Sequence, residues 1–156
     1  MSLEKAKEYL KKFNLENNIM EFNTSSATVE EAAKALKCEE KEIAKTLSFL
    51  VNDEAILIVV AGDKKIDNAK YKAEFHTKAK MIPFEEVETL VGHEVGGVCP
   101  FGIKESVQVY LDDSLKRFPI IYPACGSANS AIKLTIEELE KTSNYEKWID
   151  VCKNSQ

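Results

Sequence analysis

Ile43-Ala44-Lys45-Thr46-Leu47-Ser48-Phe49-Leu50-Val51, followed by Asn52-Asp53-Glu54 and then Ala55-Ile56-Leu57-Ile58-Val59-Val60-Ala61, is the stretch that decides the fold. Two apolar runs, rich in β-branched and aromatic residues and separated by turn formers, read as a β-hairpin. A hairpin is antiparallel, which argues against a purely parallel doubly wound sheet. Helical patterns lie on both sides of it. The reading is therefore one α+β domain over residues 1–156, with a mixed, largely antiparallel sheet.

Upstream, Leu3, Ala6, Leu10 and Phe13 share one helical face, with Ser2 as the expected N-cap. Ile19 to Phe22 reads as a short strand. Thr28 and Glu31 have capping-box spacing and open a helix to about Leu36, and a helical turn is expected at 39–42. Downstream, Asp67 caps a helix to about Phe75, and Pro83 opens another through Leu90. Strands are expected over 107–111, 118–122 and 131–134. Thr135 and Glu138 repeat the capping box before a last helix, and Trp148, Ile149 and Val151 cover part of the core.

A chain of 156 residues that is 44% hydrophobic and 30% charged has the composition of an ordinary globular domain. The first residues lack the apolar segment of a signal peptide, and no apolar run is long enough for a membrane span, so the expected location is the cytoplasm. Cys38, Cys99, Cys125 and Cys152 form no CxxC pair, which points to reduced thiols and no bound metal. A net charge of −5 argues against a broad nucleic-acid-binding surface. Lys64, Lys65, Lys70, Lys72, Lys78 and Lys80 do cluster in one segment, where a solvated face is the plain reading and a local basic patch the functional one.

The usual nucleophilic machinery is hard to assemble. His76 and His93 are the only histidines, without a Gly-x-Ser-x-Gly elbow. Cys99 paired with His93 is one route to a thiolate, against ordinary packing of a cysteine between Val98 and Pro100. Asp112 and Asp113 before Ser114 read as a turn or cap. Lys45 stands out because alternation puts it on one strand face with Ile43 and Leu47, where an unpaired ammonium is costly. It either snorkels to the surface or reaches into a pocket. Gly96-Gly97-Val98-Cys99-Pro100-Phe101-Gly102 is a loop that allows close backbone approach and can aim amides at a carbonyl or phosphate oxygen; Gly-Gly and Cys-Pro are also common loop punctuation.

Ala44-Lys45-Thr46-Leu47, the Gly96–Gly102 loop and Gly126-Ser127-Ala128-Asn129 together resemble, in order and spacing, the YbaK family of free-standing aminoacyl-tRNA deacylases. These are related to the editing domain inserted in bacterial prolyl-tRNA synthetases, and the resemblance runs from about Leu3 to Trp148. It implies a barrel-like mixed sheet surrounded by helices. It also implies hydrolysis of the ester joining a wrong amino acid to the 3′ end of tRNA, most readily tRNA for proline, with no cofactor. The partners implied are the acceptor end of mischarged tRNA and an aminoacyl-tRNA synthetase, not DNA or a membrane. By the resemblance the family's lysine falls on Lys45, its glycine–proline loop on Gly96, Gly97 and Pro100, and its Gly-Ser element on Gly126 and Ser127. The chemistry then expected is that the Gly96, Gly97 and Val98 amides would stabilise the oxyanion. Ser127 and Asn129 would bind the α-amino group or ribose, with Gly126, Cys99, Pro100, Phe101, Phe22 and Thr46 also in the substrate site. Phe22, Ile43, Leu47 and Phe101 are candidate walls of the amino-acid sieve. Some alanine-removing members carry a histidine where this chain has Asn129. The competing reading is a noncatalytic module that binds aminoacyl-tRNA or an amino acid.

Overall fold

The hairpin forms as read. β2 (Ile43–Val51) and β3 (Glu54–Ala61) pair antiparallel from Ala44↔Ala61 to Val51↔Glu54 in the computed structural model, which describes residues 2–154; the short strand Ile19–Glu21 is β1. The connection is two residues long. Asn52 and Asp53 have φ of 52° and 65°, the left-handed pair that matches hairpin twist, and Glu54 already belongs to β3.

The other strands are β4 (Gln108–Asp112), β5 (Ile120–Pro123), β6 (Ser130–Ile132), β7 (Leu134–Thr135) and β8 (Lys147–Ile149). Six of them form a sheet in the order β7-β5-β2-β3-β4-β8, while β1 and β6 form a separate antiparallel pair. The large sheet is mixed. Its longest ladder is the antiparallel hairpin, β5–β7 is also antiparallel, and β2–β5, β3–β4 and β4–β8 are parallel. It curls into a half-barrel, with β7 and β8 as its edges.

β3 is central and buried on both faces, which explains its unbroken apolar run. Leu57, Val59 and Ala61 pack into the larger core with Leu111, Phe101 and Leu139. Ile56, Ile58 and Val60 face a second core with Tyr71 and Val151. The helices cover these faces. α1 (Ser2–Lys11) buries Ala6 and Leu10, while the Ser2 side chain lies outside the described ones. α2 (Val29–Leu36) has the Thr28/Glu31 capping box, and α3 (Asn68–Phe75) starts at the Asp67 cap. α4 (Val87–Val91) follows a 3-10 turn at Phe84–Glu86, and α5 (Ile136–Ser143) has the Thr135/Glu138 capping box.

The strand expected over 131–134 is two strands. Ser130–Ile132 pairs with β1, whereas Leu134–Thr135 pairs with β5, so the chain changes sheets at Lys133. Trp148 and Ile149 lie in β8, which extends the sheet, and as expected Trp148 packs against the larger core while Ile149 and Val151 are buried in the second. Among the described residues no helix is long and apolar enough to cross a membrane.

Candidate active site

The site is built on an edge of β2 that its neighbours leave open. β5 pairs with β2 only at Ile43 and Ala44. Pairing resumes where Ile82 N–H donates to Ser48 C=O at 3.2 Å and Leu50 N–H donates to Lys80 C=O at 2.8 Å. Ile43 C=O accepts from Gly62 N–H on the β3 side, so alternation turns the even-numbered backbone groups of β2 outward. Thr46 lies between the two closures, and no described pairing occupies its outward edge.

A cavity of about 360 Å³ opens there. Lys45 and Thr46 line it from opposite faces of β2, and Gly96 and Val98 line it from the glycine loop. Burial pushes the Lys45 ammonium below the usual lysine range, opposed by Cys152 and Asp63. Asp63 is itself held by Arg117 at 2.6 and 3.1 Å, and no described ion pair includes Lys45. Thr46 Oγ1 is buried without a hydrogen-bond partner among the described residues. Thr46, expected in the substrate site, is among the residues that line the cavity.

The two glycine elements are locked together. Gly126 N–H donates to Gly97 C=O at 2.9 Å, and a Cβ on Gly97 would sit 2.3 Å from Ser127 N and 2.4 Å from Gly126 C. Only glycine permits that approach. Gly97 N–H donates to Glu94 C=O at 3.0 Å. This corrects one expectation: Gly97 shapes the loop, and its amide is already engaged rather than free for an oxyanion. Gly96 has φ +95°, and a Cβ there would press on Ala27 and Ala128 at 3.1 and 3.3 Å.

Several other expected contacts do not reach the cavity wall. Ser127 Oγ donates to Asn129 Oδ1 at 2.9 Å and lies 2.6 Å from Ser130 Oγ; Asn129 Nδ2 donates to Phe22 C=O at 3.1 Å. Ser127, Asn129 and Phe22 thus tie β6 to the 22–26 segment, and Ser130 of this network lines the cavity. Gly126 is set by its packing on Gly97. Cys99, Pro100 and Phe101 are buried, with Cys99 and Phe101 inside the larger core because the loop turns those side chains inward. Of the expected sieve walls, Ile43 and Leu47 line the cavity and Phe22 and Phe101 do not.

The thiol route fails on geometry and charge. Cys99 Sγ lies 3.5 Å from His93 Nε2, but that nitrogen hydrogen-bonds Phe101 C=O, and Cys99 Sγ–H also donates to Phe101 C=O at 3.8 Å. Burial pushes the thiol well above its ordinary range and lowers the His93 imidazole, so both are neutral at pH 7. Among the described residues no group of three or more His, Cys, Asp or Glu converges as a metal site.

Sequence reasoning missed Ser26, Tyr122 and Ser130 in the wall, and Met81, Phe84 and Val95 at the mouth. Met81-Ile82-Pro83-Phe84, an apolar run after Lys78 and Lys80, was the available signal for part of the mouth.

The comparisons agree with this architecture. Residues 24–142 match the family described as the aminoacyl-tRNA editing domain. The chain is 52% identical over 155 residues to an uncharacterized protein of Bacillus subtilis (strain 168), YwhH, covering 99% of each. It is 32% identical over 101 residues to a proline–tRNA ligase of Geobacillus sp. (strain WCH70), spanning 64% of this chain but only 18% of the ligase. A crystal structure described as a candidate trans-editing enzyme for prolyl tRNA synthetase superposes with a TM-score of 0.87 at 27% identity, covering 98% of each chain. The family match spans most of the sequence and the fold agrees over nearly all of it: the chain belongs to the aminoacyl-tRNA editing domain family and is an aminoacyl-tRNA deacylase.

Proposed function

We propose that this chain acts in trans, in the cytoplasm, on tRNA for proline that carries a small wrong amino acid. The observation that carries the reading is the cavity at the open edge of β2, whose lining includes Lys45, Thr46, Gly96 and Val98. The similarity to proline–tRNA ligases supports the choice of tRNA, and a synthetase is the natural partner for delivering it.

An aminoacyl ester is already activated, so water suffices as the nucleophile. Water oxygen bonds to the carbonyl carbon, and the ester C–O bond to the ribose breaks. The proton taken from water ends on the departing ribose oxygen, relayed by the neighbouring substrate hydroxyl. The Lys45 ammonium holds the carbonyl or phosphate side of the terminal nucleotide. The Gly96 and Val98 amides stabilise the oxyanion, each well-placed donor contributing about 3–4 kcal/mol. Ser127 and Asn129 act one step back by fixing Ser130 and the 22–26 segment around the pocket. Ile43 and Leu47 bound the amino-acid side chain. A small cavity is useful because one methylene changes selection only about 10–200-fold, which leaves errors for a second hydrolytic step.

The test is release of amino acid from proline tRNA charged with alanine, cysteine, serine or threonine, beside the same tRNA charged with proline. Hydrolysis of one of the wrong esters with sparing of prolyl-tRNA is expected. Saturable binding without turnover would instead mark a noncatalytic sensor.

A further inference from the structure

Met81, Phe84 and Val95 are the large hydrophobic side chains that stand exposed among the described residues, at 58%, 74% and 42%, and all three belong to the rim of the one cavity around Lys45. Scattered exposed apolar side chains are ordinary, but three on one rim form a patch. The rim is held in place: Lys80 C=O and Ile82 N–H, on either side of Met81, are both bonded to β2, and Phe84 starts the 3-10 turn after Pro83. Lys78 and Lys80 are exposed on the same strap, and no described ion pair engages either.

If the amino acid enters the cavity, the ester-linked ribose must lie at the mouth and its base just outside, against this rim. We infer that Phe84, flanked by Met81 and Val95, is the platform on which the terminal nucleobase of the acceptor end stacks, with Lys78 and Lys80 facing the preceding phosphates. The inference rests on the deacylase reading for its occupant. Aromatic rings suit this role because every base offers a π face, and a cation nearby suits the backbone. Phe84 is thus a binding residue that sets affinity for the nucleotide and leaves the chemistry of the ester unchanged.

The test has two arms, both with the full chain. The first follows hydrolysis of the mischarged proline tRNA and of a 3-O-aminoacyl ester of 1-O-methylribose, which keeps the neighbouring hydroxyl but lacks a base. Loss of one stacked base corresponds to about a 5- to 150-fold effect. Phe84→Ala is expected to raise KM for the tRNA within that range, with kcat nearly unchanged and the base-free ribose ester unaffected. Phe84→Trp should restore KM. The second arm needs no turnover: an uncharged cytidine-cytidine oligonucleotide ending in 2-aminopurine should lose fluorescence on binding the native chain and keep it with Phe84→Ala. An unchanged KM in Phe84→Ala, equal losses on both esters, or identical quenching by both proteins overturns the inference. If the native chain hydrolyses no mischarged tRNA yet quenches the probe through Phe84, the platform stands and the proposed substrate falls.

Discussion

Lys45 holds an ammonium in a half-buried position without an ion-pair partner among the described residues, and burial lowers its proton affinity. Its folded value lies below its unfolded one, so the unfolded chain binds more protons in the window between them. Stability therefore rises with pH there, and the charged lysine is a cost at neutral pH. Lys45→Met should abolish hydrolysis while leaving Tm equal or higher. Enzyme-dependent hydrolysis by the native chain should decline on the alkaline side before the ordinary lysine value of about 10.4 is reached. A Tm loss in Lys45→Met, or a rate that is flat through that window, contradicts the assignment. Cys99 makes the opposite case. Cys99→Ala should keep hydrolysis within a few-fold and cost about 1 kcal/mol in urea unfolding, as for a typical small core truncation. Loss of turnover in a folded Cys99→Ala protein would revive the thiol route. Alternation showed that Lys45 shares a face with apolar residues, but not that Thr46 on the other face meets the same opening, because that depends on where β5 stops pairing.

At the scale of elements, the glycine loop and the turn at Gly126 form one unit. The Cβ of Gly97→Ala would meet Ser127 N and Gly126 C, both backbone atoms that cannot rotate away. Overpacking of this kind costs about 1–3 kcal/mol, and the shift it forces would move Gly96 and Val98. Gly97→Ala should lower both the urea midpoint and kcat; a variant with native activity and midpoint would mean the loop tolerates displacement. Local signals read the elements well where they were chemical. The capping boxes at Thr28 and Thr135 and the Asp67 cap located α2, α5 and α3. The break at Lys133 was not legible because neither glycine nor proline marks it; the partner strands, distant in sequence, decide it. The inward turn of Cys99 and Phe101 was hidden for the same reason, since loops have no side-chain period.

For the whole molecule, an acidic chain that binds tRNA must do so through few phosphate contacts. With Lys78 and Lys80 as the exposed cations beside the mouth, log affinity should fall with log salt at a slope of only about −1 to −2. The double variant Lys78→Ala/Lys80→Ala should flatten it. A much steeper slope would require a wider basic surface than this rim. The fold class was readable from the hairpin and the flanking helical patterns, and the family from three short motifs. The cavity was not, because it exists only where the 80–82 strap, β5 and the glycine loop converge on one strand edge.

The most direct measurement of the central claim is single-turnover hydrolysis of proline tRNA charged with each wrong amino acid, by native protein and by Lys45→Ala. The account predicts rapid release of one small amino acid, sparing of prolyl-tRNA, and loss of nearly all of that rate in Lys45→Ala. Full activity in a folded Lys45→Ala protein, or no hydrolysis of any mischarged tRNA by the native chain, would contradict it.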